Sequence, residues 1–452
     1  MNLPAYFLAD LPAEALLNAS LINEACLTLR RNRQRYLVHR STQQVIHLLI
    51  SLSVEWRKPA FPFRQMALQQ AGATGFSQAT LGAGLDAFFS QITAENLQAL
   101  IEQDLGNADC LDRFVAIPPD SRSWRHARAT GPELLVHVAS GNLPNPALLS
   151  IVLGMLVRSA QFVKCASGAA LLPRLFAHSL YEADSRFGAC LEVAEWKGAD
   201  KELGPALCSN ADCITATGGD ESVSAIRSLV PEGVRFVGYG HRVSFGYITR
   251  ETLTHGQAPK IAARAAVDIA AWNQLGCLSP HLLFVESGGS VSPDALAGML
   301  ADQLAAIESD EPRGPVPVET ASVISTRRAF YEIRAAASDD TRLWKSNGST
   351  AWTVVFETET AFQKSCLNRF VYVKPVADLS EALRASEPVR GQISTVGLEA
   401  NSDRAQSIAM EFAAWGVTRI CPLGKMQQPP LNWRHDGRPV LGDLVMWTDW
   451  EQ

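Results

Sequence analysis

From residue 133 onward, short apolar runs rich in β-branched residues alternate with longer stretches whose apolar positions recur at helical spacing. ELLVHVA, AQFVKCA, ACLEVAEW, ADCITAT and VRFVGYG read as strands, with helices between them over 146–159, 170–184 and 221–229. This alternation predicts a parallel, doubly wound sheet with helices on both faces, whose ligands bind at the carboxyl ends of the strands. After about residue 235 the pattern restarts. A helix over ARAAVDIAAWNQ, strands at LLFVES, TAWTVVFE, FVYVKPV and ISTVGLE, and a long helix over 292–307 predict a second α/β layer. Residues 1–130 read mainly as helix: Thr93 caps AENLQALIEQDLG, in which Leu97, Leu100 and Ile101 share one face. LGAGLDA at 81–87 matches GxGxxA, but no strand precedes it, so it reads as amphipathic helix and not as a dinucleotide fingerprint. EPRGPVPVE at 311–319 reads as a linker-like loop.

Composition narrows the function classes. A chain of 452 residues has length for two or three domains, and 40 Lys and Arg against 46 Asp and Glu give no basic surface for nucleic acid or an anionic membrane. The nine cysteines are scattered without CxxC or zinc spacing, which reads as reduced thiols in a cytoplasmic protein with no metal site. MNLPAYFLADLPAE lacks the basic start of a secretory signal. The uncharged stretch 134–157 is broken by Ser140, Asn142, Pro144, Asn145 and Pro146, so no membrane span is expected.

Function must therefore come from a site. Cys277 lies in WNQLGCLSPHLLFVE, a turn between a small-residue helix and an apolar strand. Such a turn can present a thiol, although an isolated Cys is also a common small buried hydrophobe. Three earlier blocks supply context. In HVASGNLPNP at 137–146 the Asn142 amide either donates to an oxyanion or merely holds the turn. In FVKCAS, Lys164 ends a strand and either meets a ribose or phosphate or stays solvated. In ITATGGDESVSAI, Thr217, Gly218 and Gly219 precede a helix whose N-terminus favours an anion, or is an ordinary start capped by Asp220.

Taken in order, these blocks resemble the aldehyde dehydrogenase superfamily. Within it, ASGNLP at 139–144, VGYGHRVSFG at 237–246, DIAAWNQLGCLSPH at 268–281 and the ending RICPLGKMQQPPLNWRHDGRPVLGDLVMWTDWE are similar to the LuxC-type fatty acyl-CoA reductases. The resemblance implies an α/β aldehyde dehydrogenase-like fold with a Rossmann-like cofactor domain and an α/β catalytic domain. A helical part over 1–130 would pack on the cofactor domain at 131–235, the catalytic domain would span 236–420, and 421–452 would return to the core or to an oligomer interface. Cys277 would take an acyl group from a thioester, and Asn142 would donate to its oxygen. Lys164 would contact the adenosine ribose or its 2′-phosphate, and Thr217, Gly218 and Gly219 would follow the phosphates. Ser140, Ser167, Ser222 and Gly240 complete the implied cofactor set. NADPH is the implied reductant and a fatty aldehyde the product.

One departure is informative. Hydrolytic members of the superfamily carry a water-activating Glu in a Glu-Leu-Gly-Gly-Lys run, and the similar position here reads Gly238-Tyr239-Gly240-His241-Arg242. An acyl-enzyme without that base survives to exchange with a thiol or to accept a hydride. His241 is then either the candidate base for Cys277 or a packing histidine behind it, and His281 is a weaker candidate because Pro280 breaks the helix that would align it. Acyl-CoA is the first choice of donor over a carrier-protein-bound chain. A Cys-dependent acyltransferase or thioesterase without reduction is the competing reading. A homo-oligomer is expected, and other acyl-processing subunits are candidate partners. Trp433, Trp447 and Trp450 line an acyl tunnel, cover a neighbouring subunit or close the core, the last being the commonest use of such residues.

Overall fold

The computed structural model describes residues 3–12, 14–116, 125–198 and 200–451. Two compact units divide the chain: Met1–Thr74, Leu85–Gly240 and Pro430–Gln452 form the first, and Gly75–Gly84 with His241–Pro429 form the second.

In the first unit, β1 (Arg125–Thr130) precedes β2 (Leu134–Val138), β3 (Ala160–Cys165), β4 (Leu191–Glu195), β5 (Cys213–Thr217) and β6 (Arg235–Tyr239). The last five form an all-parallel sheet of order β4-β3-β2-β5-β6. Parallel strands are covered on both faces, so β2, β3 and β5 are nearly continuous apolar runs and not alternating ones. One face packs on helix Ala19–Tyr36, where Ile22, Cys26 and Leu29 meet Leu134, Val136, Phe162 and Ile214. Asn18 starts that helix by accepting from the Leu21 N–H at 3.0 Å. At the sheet centre, buried His137 links Thr215 Oγ1 at 2.7 Å and Gln161 Oε1 at 3.1 Å. Burial holds its pKa down at about 4, so the imidazole is neutral and its Nε2–H donates to the Gln161 oxygen.

The second unit contains β7 (Val243–Ile248), β8 (Pro280–Glu286), β9 (Thr341–Lys345), β10 (Thr353–Glu357), β11 (Phe370–Val376), β12 (Ile393–Glu399) and β13 (Arg419–Pro422). Their order is β13-β12-β7-β8-β11-β10-β9, parallel except for β9, which runs antiparallel to β10. Helices Ala258–Ala270 and Pro293–Asp310 bury Ile261, Ala265, Ile269, Leu296 and Leu300 against one face. Helices Val318–Ala337 and Ser402–Trp415 supply Ile324, Tyr331, Ile408 and Phe412 to the other. The final strand, β14 (Met446–Glu451), pairs antiparallel with β1, from Arg125↔Glu451 to Thr130↔Met446.

Two readings change. Residues 311–317 are loop, but not a solvated linker: Arg313 is buried and donates to the Thr350 and Asn368 carbonyls. Trp447 and Trp450 are 38% and 49% exposed and do not pack in a core, because β14 joins only a two-stranded ribbon.

Helix Gln78–Ser90 absorbs the GxGxxA match, and its Gly84 has a packing reason. A Cβ there would overlap the ring of buried Trp272, which is held edge-to-face by Phe76 at 5.1 Å. Gly84→Ala gains helix propensity yet is expected to destabilise by about 1–3 kcal/mol through overpacking. Chemical denaturation checks this, and a stability equal to wild type would refute it.

Candidate active site

In the first unit, the residues singled out for a cofactor gather at the carboxyl end of the parallel sheet. Ser140 and Asn142 follow β2, Lys164 is next to last in β3, Ser167 lies in the loop after it, and Thr217 ends β5. Gly218 and Gly219 lead into helix Asp220–Arg227, which carries Ser222, and Gly240 follows β6. Lys164 is buried with its Nζ 5.6 Å from the Trp196 ring centroid. Burial lowers its pKa, and the nearby Cys165 and Glu195 act against that. Glu195 closes the loop around Ser167, accepting from the N–H groups of Gly168 at 2.6 Å and Ala170 at 3.2 Å.

The helix start departs from the capping expectation. Gly219 is the N-cap, and Asp220 sits one position inside, with its carboxylate in the space a Gly240 side chain would take. The backbone of Gly219 is open, with nothing within 4 Å of the position a Cβ would occupy, and at Gly218 only Ser222 comes near, at 3.6 Å. This uncrowded turn fits the close approach of a dinucleotide. Asp220 and Glu221 in the first turn complement the helix dipole, which leaves Lys164 as the cation of the set.

In the second unit, Cys277 lies on the segment that enters β8. Six other cysteines, Cys26, Cys110, Cys165, Cys190, Cys208 and Cys213, are fully buried, and burial pushes their thiols up to about 11 or 12, whereas Cys277 is only half-buried. Its backbone is held in place: Ser244 Oγ donates to the Cys277 carbonyl at 2.7 Å while accepting from the Thr395 N–H at 3.1 Å. Two residues on, Ser279 Oγ accepts from Gln427 Nε2 at 2.7 Å. The Gln427 loop is in turn folded over the buried Asp268 carboxyl, which accepts from the N–H groups of Gly424 at 2.5 Å and Met426 at 2.9 Å. Burial drives the Asp268 carboxyl up to about 7 against those donors.

Arg419 is a cation near this loop. Its guanidinium is buried and donates to the Met426 carbonyl at 2.7 Å and the Lys425 carbonyl at 2.9 Å. Burial lowers its pKa, and the fields of Cys421, Asp268 and Cys277 oppose that, so its charge is felt at the Cys277 sulfur.

Of the two histidines, His281 is buried in β8 and accepts from the Ser365 N–H at 3.0 Å through Nδ1, which leaves its proton on Nε2. Burial, with His241 and Lys364 nearby, pulls its pKa down to about 4. Ser244, Asp268, Arg419 and Gln427 were not singled out from sequence. They lie inside the quoted blocks, but nothing in their spacing from Cys277 marks them.

The fold is that of the aldehyde dehydrogenases. A NAD-dependent benzaldehyde dehydrogenase from Corynebacterium glutamicum matches at a TM-score of 0.71 and 13% identity, covering 97% of this chain and 90% of that one. A bifunctional proline utilization A protein matches at 0.72 and 16%, covering 98% of this chain and 46% of that one, so the chain spans about half its length. Identities this low speak to fold alone. In sequence, the acyl-CoA reductase (LuxC) family model matches residues 37–447, and the chain belongs to that family. A long-chain acyl-protein thioester reductase of Aliivibrio fischeri is 24% identical over 431 residues, 92% of this chain and 83% of the relative. The family and fold read from the Asn142, Cys277 and terminal blocks are thus borne out. Among the described residues no helix is long and apolar enough to cross a membrane.

Proposed function

We propose that this protein reduces a long-chain acyl thioester to the aldehyde through an acyl-Cys277 intermediate. The observation that carries the reading is Cys277 itself, a half-buried thiol in the field of Arg419 on a loop whose backbone is fixed by Ser244, in a chain of the acyl-CoA reductase family. The Cys277 sulfur attacks the thioester carbonyl, its bond to the acyl carbon forms, and the donor thiol leaves with a proton. His241 is the proposed base that takes the Cys277 proton, since the neutral His281 has its Nδ1 occupied. Asn142 is the proposed donor to the acyl oxygen, a contribution typically worth about 3 kcal/mol. When bound, the nicotinamide supplies a hydride to the acyl carbon. The acyl–sulfur bond then breaks, the aldehyde departs and the sulfur regains its proton.

NADPH is the proposed dinucleotide; Ser140, Lys164, Ser167, Thr217, Gly218, Gly219, Ser222 and Gly240 would hold it, with Lys164 meeting the adenosine ribose or its 2′-phosphate. Acyl-CoA is the proposed donor. The name of the Aliivibrio fischeri relative favours a second reading, in which the acyl group arrives on a protein.

The test is NADPH oxidation by the purified protein with acyl-CoAs and with acyl carrier protein thioesters, the aldehyde being trapped and identified. Aldehyde formed only from carrier-bound chains replaces acyl-CoA as donor. Acylation of Cys277 without any oxidation means an acyltransferase or thioesterase and refutes the reductase.

A further inference from the structure

Two stretches of the second unit hold three successive non-glycine residues in left-handed backbone geometry. One is Trp272, Asn273 and Gln274, with φ of 52°, 51° and 64°; the other is Leu367, Asn368 and Arg369, with φ of 59°, 57° and 64°. Each such residue costs about 1 kcal/mol or more and persists only where its surroundings over-determine it. The first turn ends three residues before Cys277.

Gln274 is what joins the two turns. Its fully buried carboxamide accepts from the Phe370 N–H at 2.8 Å and donates to the Phe370 carbonyl at 2.8 Å and the Pro280 carbonyl at 2.8 Å. All polar atoms of the amide are thereby used except one lone pair. The bond to Pro280 closes a loop from 274 to 280 with Cys277 at its midpoint, three residues from either end. The neighbouring Asn273 Nδ2 donates to the Arg313 carbonyl at 3.0 Å, and Arg313 Nη1 donates to the Asn368 carbonyl at 3.3 Å, so the turns are bridged a second time.

We propose that Gln274 is a positioning residue for the nucleophile: by clamping the loop 274–280 to the Leu367–Arg369 turn it fixes where the Cys277 sulfur stands against the acyl carbon. The inference rests on Cys277 being the nucleophile. A misplacement of about 1 Å costs about 10²-fold in rate, so the clamp acts on kcat and not on substrate affinity.

Gln274→Glu in the intact protein tests it. Protonated, the new carboxyl can still accept from Phe370 N–H and donate to one carbonyl. Ionised, it faces two carbonyl oxygens with no proton to give, and the clamp opens. The expected result is a kcat about 10²-fold below wild type at pH 8 with KM unchanged, recovering toward wild type as the pH falls to about 6, a recovery absent from wild type. Over that range His281 beside Pro280 is neutral and Arg313 and Arg369 stay cationic, the latter paired with Glu308 at 2.8 Å, while Asp268, pushed up to about 7, titrates in wild type and variant alike, so the recovery is read as the ratio of variant to wild type at each pH. Gln274→Met, which loses all three bonds without adding charge, is expected to show the same loss of kcat with no recovery. A wild-type kcat and pH profile in either folded variant overturns the proposal. So does failure of both to fold at any pH, which would assign Gln274 to the fold alone. Retained reduction in Cys277→Ala would instead fail the acyl-cysteine reading on which the inference stands.

Discussion

Cys277→Ala is expected to lower thioester reduction by about 10⁴-fold or more while leaving dinucleotide affinity at its wild-type value. The expectation follows from covalent chemistry: without the sulfur no acyl bond can form, and removal of a nucleophile is not rescued by the groups that orient it. The residues proposed for the dinucleotide belong to the other unit, so its binding reports on folding independently of the lost thiol. Intact-protein mass after incubation with acyl-CoA alone makes the test direct. Wild type is expected to gain one acyl group, and Cys277→Ala none. Should the variant still be acylated, Cys366 and Cys421, the other half-buried thiols, are the sites to map. Of these, burial pushes Cys421 up to about 11, which makes it a poor nucleophile at neutral pH.

Glu286→Gln is expected to give the largest stability change, a loss of about 3 kcal/mol at neutral pH with kcat within twofold of wild type. The Glu286 carboxylate is unexposed and accepts from Tyr247 Oη at 2.5 Å, Arg404 Nη1 and Nη2 at 2.8 and 2.7 Å, and Arg250 Nε at 3.1 Å. Burial alone would raise its pKa, but the bonds from Arg404, Tyr247 and Arg250 overcome this and hold it at about 2. A carboxyl depressed in the folded state stabilises fully above its unfolded value, and that contribution drains away as the pH falls toward about 2. Urea unfolding at pH 7 and pH 3 should therefore show a steep acid loss in wild type and a shallower one in Glu286→Gln. Equal slopes would refute the assignment. The strand from Pro280 to Glu286 separates this cluster from the Cys277 loop by roughly 20 Å, which is why activity is spared.

The strands around the proposed cofactor end were legible because parallel strands buried on both faces leave uninterrupted apolar runs, as in AQFVKCA. Cys277 was legible through its neighbours in sequence order, not through any property of a lone thiol. What surrounds it was not. Arg419, Thr395, Ser244 and Pro280 lie side by side across β13, β12, β7 and β8, and that adjacency exists only once the register is set. Gln274 was hidden for the same reason, since its partner Phe370 arrives from another strand. Helix Val318–Ala337 escaped notice because its apolar residues face both ways: Val323, Phe330 and Ile333 are exposed, while Arg328 and Tyr331 are buried. The tryptophans of β14 misled in the opposite direction, being large and apolar yet placed on a ribbon.

That ribbon sets the order in which the chain can be completed during synthesis. Residues 430–452 belong to the first unit, and β14 pairs with β1 more than 300 positions upstream. A nascent chain therefore carries an unfinished first unit throughout translation of the second, and β1, bridged upstream between Val115 and Ala127, gains its pairing with β14 once residues 446–451 clear the ribosome. The second unit, whose main segment is continuous from 241 to 429, is the part able to fold while the chain is still being made.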